Sequence, residues 1–258
     1  MTAGRGAGGE GSVEVLAGPH AVLEALRAGG RPLRRILLAR REQGPGVAEI
    51  LRLAEARRIP VEVRPPAQLE QRSGGMRTQG ILAEVAPFRY REPEAVVSAA
   101  LGRPEPALLL VLDGVQDPQN LGAILRTAEV SGVHGVCLPR DRAAQVTGAV
   151  VRAAAGATEH LAIAQLTNVA AFLTHLATQG IWVVGADQQG ERVLYDLDLT
   201  LPLALVIGGE GRGIRPLVKS RCDLVARIPC RGRVGSLNAS AAAAVCLFEA
   251  VRQRLAGR

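Results

Sequence analysis

From Ala107 to the C-terminus, short apolar runs alternate with helix-like segments, and this alternation narrows the choice of fold more than any other feature of the chain. The strand-like runs are LLLVLDG (108–114), VHGVCL (133–138), LAIA (161–164), IWVVGA (181–186), LALVIGG (203–209) and VARIP (225–229). In a parallel sheet covered by helices on both faces, the strands are buried on both sides and are therefore almost continuously apolar. We therefore predict an α/β domain with a parallel sheet over residues 107–258.

Helices are predicted between these strands, from about Leu121, through Val150 and Val151, and over residues 169–177. A long alanine-rich helix over residues 237–255 closes the chain. Its larger apolar side chains available for burial are Val245, Phe248 and Val251.

A smaller α/β pattern precedes this domain. Helices are predicted over residues 19–28, over residues 47–58 and near Gln68, and strands over residues 35–39, 61–63 and 81–85. We predict a separate N-terminal domain over residues 12–87. Residues 1–11 are low-complexity glycine and alanine, which predicts a disordered tail, and the proline-rich residues 88–106 are typical of a linker.

The charge of the chain favours a polyanionic partner. Lys and Arg total 31 against 24 acidic residues, which gives a net charge of +7. Residues 1–104 hold 16 of the basic residues and 11 of the acidic ones, so most of the excess lies in the N-terminal part. Arginine suits phosphate because its planar fork donates two parallel hydrogen bonds, although a genome rich in arginine codons would produce the same composition.

Several classes of protein are not expected. No apolar run is long enough for a membrane helix and the N-terminus lacks a secretory signal, so we expect a cytoplasmic protein that binds no membrane. The histidines lack metal-ligand spacing, and no metal site is expected. The cysteines show no CxxC pairing, and we expect them to pack as small apolar residues: Cys137, Cys222, Cys230 and Cys246.

Three loops that follow apolar runs carry the candidate chemistry, because ligands of open α/β sheets bind at the carboxyl ends of strands. The first is DGVQDPQNLGAILR (113–126), which contains Asn120 and Arg126. Asn120 could simply cap the helix, whereas Arg126 could reach the loop and hold a phosphate.

The second loop is VIGGEGRGI (206–214), in which glycines surround Glu210 and leave the backbone open to a ligand. It lacks the pattern of a P-loop or of a dinucleotide fingerprint. The third, CRGRVGSLNASAAAA (230–244), leads into the last helix. Ser236 could be its N-cap, an interpretation that leaves Asn238 unexplained.

Together the three loops resemble the SpoU (TrmH-like) family of RNA ribose 2′-O-methyltransferases. The matching segments are DPQNLGAILRTAEVSGVHGV (117–136), LALVIGGEGRGI (203–214) and IPCRGRVGSLNASAAAAVCLFEA (228–250). In front of them, GPHAVLEALRAG (18–29) and TQGILAEV (78–85) resemble the RNA substrate-binding domain of the branch that modifies guanosine in large-subunit rRNA.

The resemblance implies a SPOUT fold, in which the last third of the chain forms a trefoil knot, and a homodimer. It implies S-adenosylmethionine as cofactor, bound by Gly208, Gly209, Gly211, Ile228 and Leu237. The family's catalytic positions correspond to Asn120, Arg126, Glu210, Ser236 and Asn238.

The implied reaction is attack of a ribose 2′-hydroxyl on the sulfonium methyl. The family proposal makes Arg126 the general base, but a guanidinium normally stays protonated, so Arg126 could instead hold the phosphate beside the target ribose. We expect RNA rather than DNA as partner, with 23S rRNA guanosine the preferred substrate. Alternatives are methylation of tRNA guanosine or rRNA adenosine, and a non-catalytic RNA-binding protein of ribosome assembly.

Overall fold

A computed structural model describes residues 13–39, 45–233 and 235–257. The disordered tail predicted for residues 1–11 lies outside these ranges. The chain divides into two compact units, Met1–Arg89 and Tyr90–Arg258.

The first unit contains a four-stranded mixed sheet in the order β1-β4-β2-β3. Its strands are β1 (Glu14–Ala17), β2 (Leu33–Leu38), β3 (Val61–Val63) and β4 (Ile81–Val85), and its helices are α1 (Pro19–Ala28), α2 (Pro45–Ala56) and α3 (Pro66–Arg72). Strand β4 runs antiparallel to both neighbours, whereas β2 and β3 are parallel. Helix α1 has the predicted bounds because Pro19 opens it and Gly29, at φ 66°, ends it in the left-handed region.

The second unit is built on a seven-stranded sheet in which every pairing is parallel, in the order β7-β6-β5-β10-β8-β11-β9. Its strands are β5 (Leu108–Asp113), β6 (Gly135–Pro139), β7 (Ile163–Leu166), β8 (Trp182–Ala186), β9 (Arg192–Val193), β10 (Leu203–Gly208) and β11 (Leu224–Arg227). The predicted α/β class and parallel sheet are confirmed, while the knot stays a prediction.

Helices of the second unit are α4 (Pro93–Leu101), α5 (Pro118–Val130), α6 (Gly148–Ala153), α7 (Val169–Thr178), α8 (Pro216–Lys219) and α9 (Ala239–Ala256). Helix α4 lies inside the predicted linker, residues 88–106. Its side chains Val96, Val97 and Ala100 are buried in the same apolar cluster as Leu109, Cys137 and other residues of the sheet. This segment is therefore packed structure rather than a free connector, because its apolar side chains complete the core.

The buried face of α9 differs from the expected one. Ala243, Cys246, Leu247 and Ala250 are buried, whereas Phe248 is 47% exposed. Small side chains let this face lie close to its neighbours, which include α5 and β10.

The cysteines follow the expectation with one exception. Cys137 and Cys246 are buried, and burial raises the pKa of both thiols to about 12. Cys222 is partly buried and packs against the core. Cys230 is exposed, so the packing role predicted for it is wrong.

No helix within the described residues is both long and apolar enough to cross a membrane. The described residues also contain no group of three or more His, Cys, Asp or Glu side chains that could hold a metal ion.

Candidate cofactor and active site

A cavity of about 500 Å³ lies at the carboxyl edge of the second unit's sheet. Three segments that follow β8, β10 and β11 line it, together with the start of α9. Eight residues predicted for the site line this cavity: Gly208, Gly209, Gly211, Ile228, Leu237, Glu210, Ser236 and Asn238. Residues far apart in the sequence thus meet at one place.

Backbone packing explains why two of the glycines are needed. A Cβ atom on Gly208 would overlap the backbone of Gly213, and one on Gly209 would overlap the carbonyl of Gly114. The Gly213 amide donates to the Gly209 carbonyl at 3.1 Å, which closes the loop after β10 into a tight turn. Glu210 lies in this turn.

A directional chain of hydrogen bonds joins three of the predicted catalytic side chains. Asn238 Oδ1 accepts from the backbone amide of Ser240 at 2.8 Å and from its hydroxyl at 2.6 Å, so its amide nitrogen points the other way. Asn238 Nδ2 donates to Asn120 Oδ1 at 3.0 Å, and Asn120 Nδ2 donates to Glu210 Oε1 at 2.5 Å. The chain ends on a carboxylate, which only accepts when ionised.

The residues that cap helices α5 and α9 differ from Asn120 and Ser236, which the sequence suggested as caps. Asp117 caps α5 by accepting from the amides of Gln119 and Asn120, so Asn120 is not the cap. Asn238, rather than Ser236, caps α9. Both amide side chains are therefore held at the first turn of a helix, where their positions are well defined.

Asp113 was not among the predicted site residues, although it holds the loop after β10, residues 209–215, at both ends. Its backbone carbonyl accepts from the Gly209 amide at 3.0 Å, where the loop begins. Its buried carboxylate accepts from the Arg215 backbone amide at 2.8 Å and from Arg215 Nε at 2.7 Å, where the loop ends. The contacts with Arg215 bridge 102 residues, so no local pattern reveals them.

Asp187 is a second residue that the sequence did not single out. It lines the cavity, and its Oδ1 lies 3.1 Å from Lys219 Nζ and accepts from the Gln189 amide at 2.9 Å. The loop after β8 reads DQQG and has no recognisable motif, which is why it was missed.

Arg126 stands apart from the other predicted catalytic residues. It is exposed on α5, does not line the cavity, and has no ion-pair partner among the residues that the structure describes. Its guanidinium is therefore available to an external anion.

The arginines of the first unit that the structure describes fall into two classes. Five of them form ion pairs with glutamates: Arg27, Arg31, Arg35, Arg64 and Arg72. Hydrogen bonds with Arg35 lower the pKa of Glu84, and those with Glu84 raise the pKa of Arg35. A second group is exposed and has no ion-pair partner within the described ranges: Arg34, Arg52, Arg57, Arg58, Arg77 and Arg89.

Comparisons with known proteins match both parts of the chain to models of RNA methyltransferases. Residues 107–248 match the SpoU rRNA Methylase family, and residues 15–91 match the RNA 2′-O ribose methyltransferase substrate binding model. The chain is 42% identical over 242 residues to 23S rRNA (guanosine-2′-O-)-methyltransferase RlmB of Pseudomonas aeruginosa, covering 93% of this chain and 97% of that protein. It is 38% identical over 245 residues to RlmB of Escherichia coli K12, covering 93% and 99% respectively.

Among solved structures, the fold is similar to the SpoU methyltransferase AviRb from Streptomyces viridochromogenes in complex with AdoMet. The TM-score is 0.79 at 27% identity, and the match covers 95% of this chain and 92% of that one. The likeness therefore extends over both compact units.

Proposed function

This chain belongs to the SpoU family of rRNA methylases, and we propose that it methylates the ribose 2′-hydroxyl of a guanosine in 23S rRNA with S-adenosylmethionine as methyl donor. The observation that carries the proposal is the hydrogen-bonded chain Asn238–Asn120–Glu210 at the edge of a cavity that the predicted cofactor residues line. Relatives named for this reaction match nearly the whole chain.

The cavity suits S-adenosylmethionine in size and chemistry. Its volume of about 500 Å³ lies within the usual range for small-molecule sites. Ile207, Ile228 and Leu237 give it an apolar part for a base, while glycine backbone and the carboxylates of Asp187 and Glu210 give it a polar part. Gly211, whose missing Cβ faces open space, lets the cofactor approach the main chain, whereas Gly208 and Gly209 let the loop pack tightly against Gly213 and Gly114.

S-adenosylmethionine supplies a methyl group that its positive sulfur already activates. The protein therefore has to align the ribose and release the proton that the 2′-hydroxyl loses when it takes the methyl group. That proton can pass to solvent, because the side chains of Glu210, Ser236 and Asn238 around the cavity are exposed. Asn120 and Asn238 have fixed amide orientations, so each presents a defined donor or acceptor to a bound ribose. Ser236 lines the same cavity and can hydrogen-bond to the hydroxyl.

Arg126 has a different role in this proposal. A guanidinium stays protonated near neutral pH, so it holds the phosphate beside the target ribose rather than accepting a proton. Its exposed position on α5 supports an anion-binding role. Replacement by lysine keeps the charge but loses the fork, and near-normal methylation by Arg126→Lys would contradict the assignment.

We further propose a homodimer. Helices α5 and α9 pack together, and apolar side chains on them remain exposed: Val130 at 65%, Phe248 at 47% and Leu255 at 64%. Exposed apolar groups of this kind are typical of an interface. Sedimentation velocity tests the assembly, and a purely monomeric protein at micromolar concentration would exclude it.

The deciding experiment uses labelled S-adenosylmethionine with two RNAs, unmodified 23S rRNA and unmodified total tRNA. We expect label in 23S rRNA, and mapping of the product should give one 2′-O-methylguanosine. Label in tRNA alone would identify a tRNA enzyme, and label in neither RNA, from protein that binds S-adenosylmethionine, would favour a non-catalytic RNA-binding protein. Glu210→Gln, which removes the charge at the end of the polar chain, should lower the rate.

A further inference from the structure

The loop between β6 and α6, residues 140–146, carries two exposed arginines at the carboxyl edge of the sheet. Arg142 adopts φ 57°, a left-handed conformation that side chains other than glycine rarely take. Its side chain is exposed and forms no hydrogen bond or ion pair with any residue in the described ranges. Arg140 has only a 3.9 Å contact with Asp141, and both side chains are more than half exposed. Packing therefore does not explain why arginine stands in this strained position.

Partly buried polar contacts hold the base of the loop in place. The Val146 amide donates to the Tyr90 hydroxyl at 2.8 Å. Gln145 Nε2 donates to the Pro139 carbonyl at 2.9 Å, and Gln145 Oε1 accepts from Gln165. The base of the loop is thus held in place, and Arg140 and Arg142 expose positive charge to solvent.

The same loop is joined to the segment that opens the candidate active site. The Ala144 amide donates to the Val115 carbonyl at 2.8 Å, and Gln116 Nε2 lies 3.5 Å from the Arg142 carbonyl. Asp117 follows directly and caps α5, whose first turn carries Asn120. The backbone of the loop is therefore hydrogen-bonded to the segment that leads into α5, the helix that carries Asn120 of the polar chain.

We propose that loop 140–146 binds the phosphates of the RNA that flank the methylated nucleotide, with Arg142 as the principal contact and Arg140 as the second. This inference rests on the proposed function, because it assumes an RNA substrate. It assigns part of RNA capture to the catalytic unit itself. Because hydrogen bonds already hold the backbone of the loop, only the arginine side chain has to be ordered when it donates two hydrogen bonds to one phosphate.

The test compares Arg142→Gly, Arg142→Lys and Arg221→Gln in the full-length protein. Glycine adopts the left-handed conformation freely, so Arg142→Gly removes the charge without a folding penalty, and its Tm should equal or exceed that of the unchanged protein. Arg221→Gln is the matched control: Arg221 is also exposed and in the same unit, but it precedes β11 at the opposite, amino edge of the sheet. Binding of unmodified 23S rRNA is measured over a series of KCl concentrations, and S-adenosylmethionine binding is measured by calorimetry.

We expect Arg142→Gly to weaken RNA binding about tenfold, as for one lost charge-assisted contact, and to lower the slope of log K against log salt by about one. The RNA affinity of Arg142→Lys should lie between those of Arg142→Gly and the unchanged protein. The affinity for S-adenosylmethionine should be the same in all variants. RNA binding by Arg142→Gly with unchanged affinity and slope would overturn the inference, as would an equal loss in Arg221→Gln. If the unchanged protein methylates no RNA, the proposed function itself has failed, which is a separate outcome.

Discussion

Asn238 combines two tasks that are usually separate. Its side-chain oxygen caps α9, and its side-chain nitrogen donates to Asn120. Helix stability and site geometry therefore depend on opposite ends of one amide. Replacements that keep the oxygen but change the nitrogen separate the two tasks.

Asn238→Asp should keep the protein stable and impair catalysis. Aspartate caps a helix as well as asparagine does, whereas Asn238→Ala should lower the free energy of unfolding by about 1 kcal/mol. Aspartate cannot donate to Asn120 Oδ1, and turning the Asn120 amide would place its oxygen against Glu210. We expect a loss of about tenfold or more in methyl-transfer rate for both variants.

Urea unfolding and single-turnover methylation measure the two effects. The dual role would be contradicted if Asn238→Asp methylated RNA at the normal rate, or if it lost as much stability as Asn238→Ala.

At the scale of elements, one strand end fixes the loop that carries Glu210. Asp113 closes β5, and it contacts both the first and the last residue of the neighbouring loop. Because its carboxylate is buried, each missing partner leaves a polar group unsatisfied.

Asp113→Asn should weaken both the fold and cofactor binding. The amide offers one acceptor oxygen where the carboxylate offered two, so either the Arg215 backbone amide or its guanidinium loses its partner. We expect about 1–3 kcal/mol less stability, moderated because the Arg215 side chain is half exposed. S-adenosylmethionine affinity should fall about tenfold, since the loop must be ordered again on binding.

Calorimetry with S-adenosylmethionine gives the readout, and Asp196→Asn, an exposed carboxylate of the same unit, is the control. Unchanged affinity in a destabilised Asp113→Asn would restrict Asp113 to a role in folding.

The two classes of arginine in the first unit should differ in RNA binding. The double variant Arg34→Gln/Arg52→Gln removes two charges that have no ion-pair partner within the described residues. The variant Arg27→Gln/Arg64→Gln removes two charges that already pair with glutamates. Both lower the net charge equally, so only the availability of the guanidinium differs. We expect Arg34→Gln/Arg52→Gln to weaken 23S rRNA binding more than the other double variant does. It should also lower the slope of log K against log salt by up to about two. Equal effects in filter-binding assays would show that total charge alone matters.

The sequence predicted most elements because apolar runs and glycine or proline boundaries are local signals. Pro19 and Gly29 mark α1, and β4 has the predicted bounds. The buried face of α9 was predicted wrongly because alanine is compatible with either side of a helix. Asp113 and Arg215 could not be paired in advance, since their contact depends on the order of strands in the finished sheet. Cavity-lining glycines were found because a glycine-dense turn after a strand is visible without the fold.

For the whole molecule, the position of the domain boundary has a measurable consequence. Helix α4 belongs to the core of the second unit, so a fragment starting at residue 90 should be stable, and one starting at residue 107 should not. Losing the burial of the Val96 and Val97 side chains should lower the free energy of unfolding by roughly 3–6 kcal/mol. Thermal unfolding of residues 90–258 and residues 107–258 makes the comparison, and equal Tm values would mean that α4 is dispensable.

The central pairing of the large sheet places Leu108 opposite Leu203, so β5 is completed on that side only after most of the chain has been synthesised. A long-range parallel pairing of this kind forms slowly, because the entropy of closing the intervening chain into a loop is lost before the strand contacts can stabilise the fold. Until then an apolar strand edge stays open to other nascent chains. The protein should therefore depend on chaperones during synthesis, and on refolding from urea it should regain helical circular dichroism well before it can bind its cofactor.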